Sequence, residues 1–215
     1  MVKISKLLIK ILEKKSSIID NIYRCLLKEK MGFCGKNVDI RFNSIYKPEH
    51  IFLSDNTNIF EGFTFISDNG CFYMKENSGA AQGLTVITDT HSREVGHLLK
   101  DSELFYKGKG NISSDVIVEE DVWIGANVTL LPGSHIGRGA NIGANAVVRS
   151  KIPPYSIVIG NPAKIVGFCF SPNEIIEHER NLYPEDKRLS IEDLNKQYKK
   201  YFLDRFKENK KMVRP

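Results

Sequence analysis

Histidine is the one side chain whose unperturbed pKa lies near neutrality, and the five histidines of this 215-residue chain stand in different settings. His91 closes the segment VITDTH, at the point where a regular apolar pattern stops and an irregular, charged stretch begins. A histidine so placed suits general-base work, drawing the proton from a hydroxyl that is a poor nucleophile at neutral pH. Two carboxylates flank it, Asp89 two residues before and Glu94 three after. Either can orient an imidazole and stabilise its protonated form, and Asp89 is the preferred partner. His97, in the same irregular stretch, is the runner-up as base. The plainer alternative for His91 is a surface histidine at a corner of the fold. His135 falls at an outward position of the regular pattern, His178 on a C-terminal helix, and His50 takes no role.

The element that must hold His91 is a repeat. Ile112, Val118, Ile124, Leu130, Ile136, Ile142 and Val148 recur at six-residue spacing. Four residues after each comes a second series of mostly small or β-branched residues: Val116, Val122, Val128, Ser134, Ala140, Ala146 and Ile152. A period of six cannot keep one face of an α-helix inward at 3.6 residues per turn. Short strands separated by corners can keep it, and three such units close a coil of about 18 residues whose turns stack as a parallel β-helix around an apolar axis. Gly125, Gly137 and Gly143, each after an interior aliphatic, and Asn127, Gly139 and Asn145 further round, suit tight or left-handed backbone. Leu53, Ile59 and Phe65, then Met74, Ala80 and Val86, carry the period upstream, and the nine-residue step between Phe65 and Met74 implies a bulge or corner loop. Residues 92–111 break the pattern and read as an extruded loop, a kind of insertion that commonly carries function.

Composition sets the outer limits. A formal charge of +5 favours an anionic small-molecule ligand, yet no nucleic-acid-binding signature accompanies it. Cys25, Cys34, Cys71 and Cys169 lie at irregular spacings without a CxxC pair, so they read as reduced thiols rather than a disulfide framework or zinc site. Lys10 interrupts the N-terminal apolar stretch, no small-residue cleavage site follows, and no run is long enough to span a membrane. The expected location is the cytoplasm. Residues 2–31 show helical spacing (Ile4, Leu7, Leu8, Ile11, Leu12, then Ile18, Ile19, Ile22, Leu26) with a break near Ser16 and Ser17 and five lysines interspersed. Packing that caps the open end of the coil is one reading; a basic amphipathic surface that touches the inner face of an anionic membrane is the other. At the other end, Ser190 with Asp193 resembles a helix start, and Leu194, Tyr198, Tyr201, Phe202 and Phe206 follow at near-helical spacing.

Residues 118–167, VEEDVWIGANVTLLPGSHIGRGANIGANAVVRSKIPPYSIVIGNPAKIVG, combine a WIG tripeptide, a PG corner, an IPP step and a closing GNPAK. Together these resemble the hexapeptide-repeat acyltransferases, the group of maltose and galactoside O-acetyltransferases, xenobiotic acetyltransferases and capsule or lipopolysaccharide O-acetyltransferases. The resemblance covers residues 53–168. It implies an all-β solenoid, specifically a left-handed parallel β-helix, which departs from the usual right-handed crossover. It also implies a homotrimer with active sites between subunits, acetyl-CoA as co-substrate and a saccharide acceptor, with no metal. His91 stands where such proteins keep a catalytic histidine. By position, CoA contacts fall on Ala126, Ala144, Arg149, Ser150 and Lys164, with the Ala126 amide near the thioester. Trp123, at an outward position, is either an interface residue or a wall of the acceptor and CoA cleft. The usual Thr-Lys-Asp before the IPP step is here Arg149, Ser150 and Lys151, which leaves open which cation meets the 3′-phosphate and makes Lys151 a candidate.

The organisation expected is therefore a helical segment at 1–36, a β-helix acyltransferase domain at 37–168 with its loop at 92–111, and a helical extension at 169–215. The function expected is acetyl transfer from acetyl-CoA to a sugar hydroxyl by direct transfer in a ternary complex. N-acetylation of an amino sugar or antibiotic is the alternative, followed by a non-enzymatic structural solenoid. A zinc carbonic anhydrase of β-helical type would need three histidines, and His91 and His97 supply at most two nearby.

Overall fold

Strands of this chain pair in parallel with strands one turn of the coil away: Ile117 lies beside His135, Trp123 beside Asn141, and Thr129 beside Val147. Each of those steps is eighteen residues, three units of six, so the repeat read from the sequence is the pitch of the coil. The structure, a computed structural model, describes residues 18–19, 21–93, 95–100 and 111–203.

Three faces follow from the pairing. One sheet runs β1 (Phe33–Cys34), β3 (Ile51–Leu53), β5 (Phe72–Met74), β10 (Val116–Val118), β13 (His135–Ile136) and β16 (Lys151–Ile152). The second face holds the start of β4 (Asn58–Ile66), β6 (Gly79–Ala80), β11 (Trp123–Ile124), β14 (Asn141–Ile142) and β17 (Ser156–Ile159). The third holds the end of β4, β7 (Thr85–Ile87), β12 (Thr129–Leu130) and β15 (Val147–Val148). Because β4 continues round a corner, the second and third faces form one curled sheet.

The interior is the two predicted series. Val118, Ile124, Leu130, Ile136, Ile142 and Val148 are fully buried, and Val116, Val122, Val128, Ser134, Ala140, Ala146 and Ile152 are buried beside them. Leu53, Ile59, Phe65, Met74, Ala80 and Val86 extend the same core upstream. Ile112 corrects the expectation: it is 56% exposed, because it belongs to an antiparallel hairpin outside the coil. Corners explain the glycines and asparagines. Asn127 holds φ 56° at its corner, the left-handed region that asparagine tolerates. Gly125 serves otherwise, since a Cβ there would lie 2.7 Å from the backbone nitrogen of Ala144 on the next coil. Coil stacking at that corner requires a residue with no side chain.

At the ends, residues 21–30 form a helix, α1, from which Leu27, with Met31 just beyond it, joins the core while Ile22, Tyr23 and Leu26 stay exposed. The earlier predicted helix and its break near Ser16 lie outside the described residues. After β18 (Lys164–Phe168), α2 (Pro172–Leu182) starts from a capping box of Ser171 and Glu174. Helix α3 (Ile191–Tyr198) starts at Ser190, whose hydroxyl accepts the Asp193 N–H at 3.1 Å. Leu194 is buried with Tyr155 and Ile175, and the Tyr198 ring stacks on Phe168 at 4.6 Å. Phe206 lies outside the described residues. No described helix is long and apolar enough to cross a membrane.

Candidate active site

A three-faced coil has three corner edges, and the residues singled out from the sequence divide between two of them. The edge between the third and first faces carries Thr88, Leu131 and Ser150; Leu131 N–H to Val148 C=O at 2.8 Å and His135 N–H to Ser150 C=O at 3.4 Å join coil to coil, while Ser114 N–H to Thr88 C=O at 2.9 Å closes the root of an excursion. Here the chain leaves the coil as a hairpin of β8 (Asp89–His91) and β9 (Asn111–Ser113), with His91 opposite Asn111. His91 is exposed at the end of that hairpin. Arg149, Ser150 and Lys151 lie on the same edge two coils further on and are exposed. At one strand spacing per coil, that is about 10 Å along the axis.

Asp89 sits on the same side of β8 as His91, as residues two apart in a strand must. Its carboxylate accepts the N–H groups of Asp68 at 2.7 Å, Asn69 at 3.1 Å and Gly70 at 3.4 Å, and the hydroxyls of Thr88 at 2.6 Å and Ser113. A carboxylate offers about four lone-pair positions, so these five donors occupy it. Partial burial pushes its pKa up, but the hydroxyl and amide donors prevail and hold it down at about 2. Asp89 thus ties the root of the hairpin to the turn of the preceding coil, which fixes the strand that presents His91. Glu94, the other candidate partner, lies outside the described residues.

The edge between the second and third faces carries Ala126 and Ala144, one above the other, with Asn127 N–H to Gln82 C=O at 2.9 Å and Asn145 N–H to Ala126 C=O at 2.8 Å forming the ladder. The amides of Ala126 and Ala144 themselves have no hydrogen-bond partner among the described residues. Lys164 continues this edge at the last coil, next to Ala163, whose N–H donates to Val147 C=O at 3.0 Å. Trp123 stands on the neighbouring face, 43% exposed, its indole lying over Gly79, where a Cβ would come within 3.2 Å of the ring. Within one chain, then, the structure groups His91 with Arg149, Ser150 and Lys151, and groups Trp123, Ala126, Ala144 and Lys164 separately.

The remaining histidines are accounted for otherwise. His135 Nε2 lies 2.7 Å from Glu119, which also accepts Lys75 at 2.6 Å. His178 packs edge-on to Tyr155 with centroids 5.8 Å apart, and His50 Nδ1 is 3.0 Å from the Ser67 hydroxyl. His97 is exposed. No group of three or more His, Cys, Asp or Glu among the described residues is placed to hold a metal ion. The third edge, between the first and second faces, holds a network that sequence reading missed. Buried Glu179 of α2 accepts the Tyr155 hydroxyl at 3.1 Å, Arg138 Nη1 at 3.2 Å and Leu189 N–H at 2.5 Å. Arg138 also reaches Glu120 at 3.3 Å and lies 4.1 Å over the Tyr183 ring. The only sequence signal for it was a glutamate at the apolar spacing of α2.

The parallel pairing and the eighteen-residue step are those of a coil built from six-residue repeats, and comparison with known proteins agrees. Residues 115–150 match the family model described as bacterial transferase hexapeptide (six repeats). The chain is similar to the hexapeptide-repeat acyltransferases. It is 46% identical to a chloramphenicol acetyltransferase of Escherichia coli over 118 residues, 54% of this chain and 54% of that protein. It is 29% identical to the galactoside O-acetyltransferase of Lactococcus lactis over 162 residues, 75% of this chain and 65% of that protein. The chain therefore spans about half to two thirds of the length of these two relatives. Among solved structures, a hexapeptide-repeat containing acetyltransferase from Vibrio cholerae superposes with a TM-score of 0.60 at 24% identity, covering 70% of this chain and 81% of that one, which shows a shared fold.

Proposed function

We propose that this chain is an acetyl-CoA-dependent O-acetyltransferase that acts on a sugar hydroxyl of a saccharide or surface polysaccharide precursor, as a homotrimer of left-handed β-helices with its sites between subunits. The observation that carries the reading is the division of the candidate residues between two edges of one coil. His91 and the cations of residues 149–151 lie on one edge, and the free amides of Ala126 and Ala144 with Lys164 lie on another. Neither edge is a complete site. Copies packed about an axis would set one edge of each against the other edge of its neighbour. Closed cyclic assemblies are the common way to build such a contact.

Acetyl-CoA would supply an acetyl group activated as a thioester. His91 takes the proton of the acceptor hydroxyl as its oxygen bonds to the acetyl carbon, and returns it to the departing sulfur, so the imidazole ends neutral and the acetyl group has moved from S to O. Asp89 acts as a positioning residue, through its hold on the hairpin. The Ala126 amide is the candidate donor to the charge that develops on the carbonyl oxygen. Small residues at 126 and 144 leave room for an extended ligand along the edge, and Arg149, Ser150, Lys151 and Lys164 meet its phosphates. Trp123 walls the cleft. Cytoplasmic location belongs to the same reading, with the N-terminal segment capping the coil; contact of that segment with the inner face of a membrane is the alternative.

The test is acetyl-CoA-dependent thiol release measured over a panel of saccharides, amino sugars and antibiotics. Release with neutral saccharides supports the reading; release with amino acceptors alone moves it to N-acetylation; silence with every acceptor sinks it. An acyl-enzyme trapped during turnover would overturn direct transfer.

A further inference from the structure

The direction in which His91 faces follows from its neighbour in the strand. The Asp89 carboxylate is turned toward the corner of the preceding coil, where it accepts the N–H groups of Asp68, Asn69 and Gly70, and His91 stands on the same side of β8. The imidazole therefore faces the N-terminal coils, away from Arg149 and Lys151. What lies there is held in place. The corner at residues 46–50 is clamped to the corner at residues 67–70 by the Lys47 ammonium, which donates to Asp68 C=O and lies 3.4 Å from its carboxylate, and by His50 Nδ1, 3.0 Å from the Ser67 hydroxyl. Lys47 has φ 61°, left-handed backbone that a lysine adopts only at a cost. A Cβ on Gly70 would lie 2.7 Å from Thr88, so the second corner packs directly against the root of the hairpin.

Several chemistries meet on this surface. The exposed Tyr46 ring has the Lys47 ammonium 5.9 Å from its centroid, that ammonium is 3.4 Å from one oxygen of Asp68, and exposed Asn69 holds its Nδ2 3.5 Å from the other. Lys47 and Asp68 neutralise each other, so the surface suits an uncharged ligand better than a phosphate. A ring beside a carboxylate and an amide matches a sugar: the ring takes a pyranose C–H face, the carboxylate accepts from hydroxyls, and the amide accepts and donates. At one strand spacing per coil, the Asp68 corner lies about 5 Å and the Tyr46 corner about 10 Å along the axis from the hairpin root. A sugar ring is about as wide as one such spacing, so a residue held at His91 stops short of Tyr46 and a second residue covers it. We propose that Tyr46, Asp68 and Asn69 form an outer saccharide subsite on the N-terminal side of the His91 hairpin, which makes the preferred acceptor a disaccharide or longer glycan. That the ligand is a saccharide rests on the acceptor reading above; the cluster and the side that His91 faces do not.

The experiment measures acetyl-CoA-dependent kcat/KM for the methyl glycosides of glucose, galactose and N-acetylglucosamine and for the corresponding disaccharides. Wild type is compared with Tyr46→Ala, with Tyr46→Phe and with Tyr23→Ala, which removes an exposed tyrosine on α1. For the sugar that is acetylated, the disaccharide should be preferred by about tenfold, and Tyr46→Ala should lose that preference through KM. Tyr46→Phe keeps the ring and should keep the preference, as should Tyr23→Ala. No preference in wild type, or one that survives Tyr46→Ala, overturns the subsite even where acetyl transfer proceeds. If no saccharide supports thiol release, the acetyl-transfer reading fails by itself, and retention of the full chain on an array of the same disaccharides decides the subsite. Retention that Tyr46→Ala abolishes keeps it; absent or unchanged retention overturns it.

Discussion

Two edges of the same coil hold their charges in opposite ways. Between the first and second faces, Glu120, Arg138 and Glu179 are paired with one another, capped by the Tyr155 hydroxyl and covered by α2. Between the third and first faces, Arg149 and Lys151 stand exposed with no carboxylate partner among the described residues, and His91 projects on a hairpin. The coil backbone is the same on both edges, so the difference lies in what the chain adds there. A charge that is buried and matched docks a helix; charges that are exposed and unmatched leave the edge open to one. The first kind of edge should answer to stability measurements, the second to binding and turnover.

The largest effect is expected on the closed edge. Glu179→Ala takes a buried acceptor from Arg138, which keeps Glu120, and leaves the buried Tyr155 hydroxyl without its partner, which should cost about 2–3 kcal/mol in denaturant unfolding. A loss below 1 kcal/mol would mean that α2 is held by its apolar contacts alone. On the open edge, His91→Ala should lower turnover by about 100-fold or more while the unfolding midpoint stays put. If the variant turns over normally, the base lies elsewhere and His97 is next. Arg149→Ala should weaken CoA binding by about tenfold, with stability unchanged within about 0.5 kcal/mol. A changed midpoint with unchanged binding would make this edge structural too.

The smallest effect sits at the root of the hairpin. Asp89 is held at about 2 in the fold against an ordinary value of 3.8, so its contribution to stability is fully present above pH 4 and fades as pH falls toward 2. Because the carboxylate is only partly buried, Asp89→Asn should cost no more than about 1 kcal/mol at neutral pH, and the variant should lose less stability on acidification than wild type. Its kcat should fall more than its stability, since the hairpin that presents His91 loosens. Parallel acid-unfolding curves for the two proteins would show that Asp89 holds nothing.

The coil itself was legible residue by residue, because an interior lined by one side chain in six leaves its period in the chain. Thirteen of the fourteen residues in the two series are buried as expected, and Ile112 fails for a reason of the same kind. It keeps the spacing by coincidence but lies in β9, where pairing with β8 replaces coil stacking. Asn127 and Gly125 could be marked as corner residues from type alone. That one supplies a left-handed turn and the other a gap for the next coil is a distinction that needed the distances.

The site was legible only in part. His91 became the candidate because a break in a strict repeat points at itself, and Asp89 because it lies two residues away. The role expected of Asp89 was contact with the imidazole; its five donors, three of them amides some twenty residues earlier in the chain, could not be read from local spacing. The cluster around Tyr46 joins Lys47 to a residue 21 positions on, and the Glu179 network joins Arg138 to a residue 41 positions on. What the sequence by itself determined is everything periodic: the coil, its pitch, its core and the place where it is interrupted. Only the tertiary structure decided which edge each corner joins and where the two terminal helices dock, because those depend on non-periodic contacts between distant side chains, and such contacts leave no spacing to read.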